Sequence, residues 1–166
     1  MALLLVHLDA AYNLARWLMR DDAEAEDVVQ DAYVRAISRF AGFRGVDERV
    51  WLLAIVRNSC YDHLRQKRAS GKNMNFDEAV HSGSRRTSNQ ETTSLPAERT
   101  ELLTNLLAEL PAQYREVLVL RELEELSYQE IANIAGIPVG TVMSRLSRAR
   151  QHIPDSLSLC GPPKRF

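Results

Sequence analysis

Ser127 to Arg150 reads Ser-Tyr-Gln-Glu-Ile-Ala-Asn-Ile-Ala-Gly-Ile-Pro-Val-Gly-Thr-Val-Met-Ser-Arg-Leu-Ser-Arg-Ala-Arg, and it constrains the fold more than any other stretch. Ser127 is an N-cap residue, and Glu130 three positions on completes a capping box. Ile131, Ile134 and Ala135 recur at helical spacing, with Ala132 small where a crossing helix needs room. Gly136 suits the left-handed residue that ends a helix. Pro138 biases Ile137 to an extended conformation and suits the start of a second helix, at the cost of a capping side chain. The segment therefore predicts two short helices joined by a tight turn, a helix-turn-helix.

On the second helix Val142, Leu146 and Ala149 share one face, and Gly140, Thr141, Ser144, Arg145 and Arg148 share the other. The first face closes on Ile131, Ala135 and Ile137. The second carries hydroxyl and guanidinium groups of the kind that reach base edges and phosphates in a major groove. No acidic residue interrupts Ile131 to Ile153, which favours DNA over a solvated helical hairpin.

Charge distribution adds a qualification. The net charge of the 166 residues is −1, so no global field draws nucleic acid. Asp21, Asp22, Glu24, Glu26, Asp27 and Asp31 form an acidic patch, while Arg57, Arg65, Lys67, Arg68 and Lys72 form a basic one broken by Asp62. Free DNA should then be bound weakly, because the acids offset the gain from counterion release. A 45% hydrophobic content is enough for a helical core. Cys60 lies on an apolar helical face as a core thiol; Cys60 with His63 is too sparse a pair for a metal centre. Met1 to Val6 is too short for a signal peptide, and no stretch spans a bilayer, so a cytoplasmic chain is expected.

Upstream, a first helix is expected over about residues 3–20, with Leu4, Leu8, Tyr12 and Ala15 inward. Asp21 and Glu24 start a second, whose stripe is Ala25, Val28, Val29, Ala32, Tyr33, Ala36, Ile37 and Phe40. Asp27, Gln30, Asp31 and Arg35 lie off that stripe. Gly42 and Gly45 break the chain. A third helix from about Glu48 to Arg68 buries Leu52, Leu53, Val56, Cys60 and Leu64. It leaves Trp51, Ile55, Asn58, Asp62 and Arg65 together on its other side, either covered by the first helix or facing nucleic acid. Residues 69–96 are polar and read as a flexible linker, spanning roughly 30 Å as a coil and about 90 Å extended. Leu102, Leu103, Leu106, Leu107 and Leu110 make a further helical face, and Pro111 opens a helix with Tyr114, Val117, Leu118 and Leu120 as its apolar set.

Two separated blocks resemble one family. Leu110-Pro-Ala-Gln-Tyr-Arg-Glu-Val-Leu-Val-Leu-Arg, Leu126-Ser-Tyr-Gln-Glu-Ile-Ala and Gly140-Thr-Val-Met-Ser-Arg-Leu-Ser-Arg-Ala-Arg are similar to the C-terminal domain of bacterial RNA polymerase sigma factors of the extracytoplasmic-function (ECF) class. Ala25-Glu-Asp-Val-Val-Gln-Asp-Ala-Tyr and Trp51-Leu-Leu-Ala-Ile-Val-Arg-Asn-Ser-Cys-Tyr-Asp-His-Leu-Arg resemble the promoter-melting domain of that class. The resemblance implies an all-α fold of two small helical domains: a region 2-like domain at 1–68, the linker at 69–96, a region 4-like helix-turn-helix domain at 97–153 and a tail at 154–166. It implies that Asp27, Gln30, Asp31 and Arg35 dock on core RNA polymerase. Asn58, Asp62 and Arg65 would face the −10 element of promoter DNA, and Thr141, Ser144, Arg145 and Arg148 the −35 element. The loop from Phe40 to Glu48 aligns with one that captures a flipped base. Met143 stands where family members often carry Lys. An anti-sigma factor that clamps the two domains in a compact inactive state is a further expected partner.

No catalytic constellation accompanies these motifs. His7, His63, His81 and His152 are scattered, so no enzyme activity, cofactor or metal is expected. Two alternatives remain at this point. A stand-alone helix-turn-helix regulator leaves the Trp51 to Arg65 helix unexplained. A helical protein-interaction module has no need of the acid-free Ile131 to Ile153 stretch.

Overall fold

The computed structural model describes residues 2–45, 47–71, 102 and 104–153. The bulk of the linker, Leu103, Cys160 and the tail lie outside the described residues. The chain is all-α: among the described residues there is no strand. Its elements are α1 (Ala2–Leu5), α2 (Leu8–Met19), α3 (Asp22–Phe40), α4 (Glu48–Ala69), α5 (residues 104–109), α6 (Ala112–Leu118), a π-turn (Val119–Leu123), α7 (Tyr128–Ala135) and α8 (Val139–Gln151).

α2, α3 and α4 pack pairwise into one three-helix half. The Asp21 carboxylate caps α3 at the Glu24 amide, and Asp47 caps α4 at Val50. The expected α4 face is buried in full, with Leu52, Leu53, Val56 and Cys60 wholly inaccessible. The expected first helix is instead two. Tyr33 Oη donates to the Leu4 carbonyl at 2.8 Å, and that carbonyl also takes the His7 amide at 3.2 Å, so the helical ladder does not continue past Leu5. The break rotates Leu8 to the surface, and the inward face becomes Ala11, Leu14, Ala15 and Leu18. Ile37 is also exposed, at the rim of a stripe whose centre is Ala32 and Ala36.

The second half is built on α6, α7 and α8. Leu107 and Leu110 are buried, whereas Leu102 is exposed. Leu118, Leu120, Ile131, Val142 and Leu146 form the apolar centre. Of the expected apolar set, Val117, Leu118 and Leu120 are buried and Tyr114 is half-buried. α6 also buries Arg115 and Glu116, at 2% and 0% exposure. After it the helix widens into the π-turn, a local distortion that frequently marks functional segments. Glu125 follows at φ 54°, in the left-handed region where a non-glycine residue is strained.

The halves touch directly. α7 packs against α4, and α6 and the π-turn pack against α2. Trp51 and Ile55 are half-buried, and Trp51 packs on the rings of Phe40 and Phe43 in the loop described below.

Candidate nucleic-acid interface

The helix-turn-helix forms as its local chemistry requires. Ser127 Oγ accepts the Glu130 amide at 3.2 Å, and the Glu130 carboxylate accepts the Ser127 amide at 2.6 Å. Gly136 adopts φ 65°, ψ 38°, and its amide returns to the Ala132 carbonyl. Pro138 stands at the N-cap of α8 with no side-chain bond. Val142, Leu146 and Ala149 are buried, and Gly140, Ser144 and Arg148 are exposed, with Thr141 and Arg145 half-buried. Ser144 Oγ donates to the Thr141 carbonyl at 3.0 Å, and Arg148 reaches Tyr114 Oη at 3.4 Å. Arg150 leaves this face. It pairs with Glu122 at 2.7 Å, and although burial pulls its pKa down, the Glu122 bond and charge leave it above the ordinary value. Met143 is exposed on the same helix.

On α4, Arg57, Asn58, Tyr61, Asp62 and Arg65 line one open cleft of about 470 Å³. Asn58, Asp62 and Arg65 are thus together, as the sequence suggests. Arg65 is paired with Asp62, which also faces Arg35 of α3 at 3.6 Å. Asn58 Oδ1 accepts from Arg57 at 3.2 Å. Asp27, Gln30, Asp31 and Arg35 are all exposed on α3. The aromatic loop lies at the end of α4: Phe43 and Trp51 approach to 4.6 Å between ring centres, and Phe40 flanks both. Gly45 lets the Phe43 ring lie close to the backbone there; a Cβ would meet that ring at 2.5 Å and push it aside.

Arg57 and Tyr61 were not singled out by sequence as site residues, because their partner comes from the other half. Arg57 Nε donates to Glu116 Oε1 at 2.5 Å, and Tyr61 Oη donates to Glu116 Oε2 at 3.0 Å. Burial lowers the Arg57 pKa, but the Glu116 hydrogen bond and charge more than reverse this. Burial raises the Tyr61 pKa, Glu116 raises it further, and the nearby Arg57 and Arg145 charges oppose the rise. Signals for this contact were absent from the local pattern. Arg57, Arg65 and Lys67 of the basic patch are each held by a carboxylate: Glu116, Asp62 and Glu24.

Cys60 is a core thiol, pushed up to about 12 by burial and by the Glu116 charge. Its folded pKa lies above the unfolded value of about 8.5, so its contribution to stability is complete below that pH and is lost as pH rises toward 12. Native chain at pH 8 should leave Cys60 unalkylated by iodoacetamide, with labelling only after unfolding, as read by peptide mass mapping. Rapid labelling of the native chain would show that the α4 core opens locally. Among the described residues no group of three His, Cys, Asp or Glu side chains is placed to hold a metal, and no helix is long and apolar enough to cross a membrane.

Known proteins share both the sequence and this architecture. The Sigma-70 region 2 family profile matches residues 3–70, and the Sigma-70 region 4 profile matches residues 100–153. The chain is 34% identical over 146 residues to the RNA polymerase sigma-H factor of Pseudomonas aeruginosa, covering 84% of this chain and 76% of that protein. It is 34% identical over 141 residues to the ECF RNA polymerase sigma-E factor of Escherichia coli, covering 81% and 74%. Among solved structures, the sigma factor RpoE in complex with the anti-sigma factor NepR from Bartonella quintana superimposes with a TM-score of 0.73 at 30% identity, covering 93% of this chain and 92% of that one. CnrH in complex with the cytosolic domain of CnrY gives 0.63 at 28% identity, covering 91% and 82%. With a capped helix-turn-helix in the region 4 match, a helical region 2 match before it and relatives of this kind across most of the chain, the protein belongs to the ECF class of RNA polymerase sigma factors.

Proposed function

We propose that this chain binds core RNA polymerase, directs it to promoters at two DNA elements and assists opening of the duplex, with no catalytic chemistry of its own. The observation that carries the reading is α8: three apolar residues lock it to the domain, while Gly140, Thr141, Ser144, Arg145 and Arg148 are left outward. Those outward residues are assigned to the −35 element. Asn58, Asp62 and Arg65, together in the α4 cleft, are assigned to the −10 element. The exposed α3 residues Asp27, Gln30, Asp31 and Arg35 are assigned to the polymerase. In this reading residues 1–68 form the polymerase and −10 domain, 69–96 the linker and 97–153 the −35 domain, acting in the cytoplasm. An anti-sigma factor is a further partner; the two structural relatives were solved with one and with a cytosolic domain of CnrY, respectively.

Run-off transcription with core polymerase tests this. Promoter-specific transcripts should appear only when the chain is added, and the isolated chain should bind the same duplex far more weakly than the holoenzyme does. The paired state of Arg57, Arg65 and Lys67 supports the second expectation. Tight, specific binding by the isolated chain without any transcript would favour a stand-alone helix-turn-helix regulator.

A further inference from the structure

Asp62 is an anion on a face assigned to a polyanion, and two cations from different helices hold its carboxylate. Oδ1 accepts from Nη2 of Arg65, three residues along α4. Oδ2 faces Nη1 of Arg35, on α3, at 3.6 Å. All three side chains are open to solvent, so a nucleic-acid strand can reach them. Asp62 lines the open cleft with Arg57, Asn58, Tyr61 and Arg65, and it also lines a smaller hollow between α3 and α4 that includes Arg35. Neither contact involves the α6–α8 half, so the bridge is a property of the α3–α4 pair itself.

A carboxylate on a DNA face has two uses. It can accept from cytosine N4 and read a base, or it can act on the cations around it. Here its charge is directed at two guanidiniums, and the three groups together carry one net positive charge in place of two. Ion pairs this exposed contribute little to stability, so the bridge yields when a strand brings phosphates to the same arginines. The consequence is electrostatic. Each cation that neutralises a phosphate releases counterions, and a cation already paired with an acid gains less by doing so.

We propose that Asp62 is a phosphate screen and not a base reader: by occupying Arg35 and Arg65 it lowers the affinity of the α4 cleft for any strand, and it leaves promoter choice to its neighbours. The proposal rests on the functional reading above in one respect, that this cleft is the −10 face. Non-promoter sites far outnumber promoters, so a lower general phosphate affinity shortens the time spent on the wrong DNA. A group that screens phosphates changes binding to all sequences alike and changes its salt dependence, whereas a base reader changes binding to one sequence. The two roles of Asp62 are therefore separable by experiment.

The test uses holoenzyme assembled with the full chain, with core polymerase alone as the baseline. Fluorescence anisotropy follows two labelled single strands over a range of salt: a thymine homopolymer, and the non-template strand of a promoter identified by run-off transcription. Asp62→Asn should tighten binding of both strands by a similar factor, at least about five-fold at low salt, and should steepen the dependence of log K on log salt by about 0.7 for each arginine freed. Asp62→Ser, a second neutral variant, should match it. Asp62→Glu keeps the charge and should retain the wild-type slope. In an Arg35→Ala, Arg65→Ala background, Asp62→Asn should leave the slope where it is. Circular dichroism checks the helix content of every variant. An unchanged slope and affinity in both neutral variants overturns the screen. So does weakened binding confined to the promoter strand, which would make Asp62 a base reader. Absence of promoter-directed transcripts would instead overturn the functional reading, and the homopolymer measurements would still decide the screen.

Discussion

Arg115→Leu should lower the unfolding free energy by about 3–5 kcal/mol, among the largest single losses available in this chain. The guanidinium is almost wholly buried, and among the described residues no carboxylate pairs with it. It donates instead to the carbonyls of Leu107, Ala108, Leu110 and Trp17. The first three lie at the end of α5 and the fourth in the last turn of α2, so one cation closes the negative ends of two helices. Burial, helped by Arg20, lowers its pKa to about 10, which still leaves it charged at neutral pH. Leucine fills some of the volume but removes the donor from the Leu110 and Trp17 carbonyls, held at 2.6 Å each, while Leu107 keeps the Leu110 amide; each unsatisfied buried group costs about 1–3 kcal/mol. Urea unfolding followed by circular dichroism measures the loss. A change below about 1 kcal/mol would mean that water reaches these carbonyls and that the geometry is not essential.

Arg145→Ala should cost about 1–3 kcal/mol of promoter discrimination at one base position if its guanidinium meets a guanine. The measurement is holoenzyme transcription from promoters that differ at single −35 positions. Wild type should discriminate and the variant should not, at one position only. Val142, Leu146 and Ala149 hold α8 in place without Arg145, so folding should be unaffected. Unchanged discrimination would remove Arg145 from the reader set.

The parts of this molecule that were legible in the sequence are those fixed by neighbours a few residues away. The Ser127–Glu130 capping box, the left-handed Gly136 and the uncapped Pro138 all follow from local backbone chemistry. The buried faces of α4 and α8 follow from helical period, although α4 also carries Trp51 and Ile55 on its other side. Glu116 was not legible. Within Tyr114-Arg-Glu-Val it resembles a solvated pair of opposite charges, and its partners lie 55 and 59 positions away. Arg115 misleads for the same reason, as its Trp17 acceptor is 98 positions distant. The break after Leu5 depends on Tyr33, on another helix. The α4 cleft shows both effects: Asn58, Asp62 and Arg65 were found by their shared face, and Arg57 and Tyr61 were missed because the opposite half engages them.

The two tryptophans of this chain sit at junctions that matter. Trp51 lies against Phe43 in the aromatic loop, at 4.6 Å. Trp17 supplies the carbonyl that Arg115 holds between the halves. Indole emission shifts when a ring is unstacked or wetted, so Trp51 carries an optical record of its stacking on Phe43 without added dye. Substituting one tryptophan at a time separates the signal of Trp51 in the loop from that of half-buried Trp17 on α2.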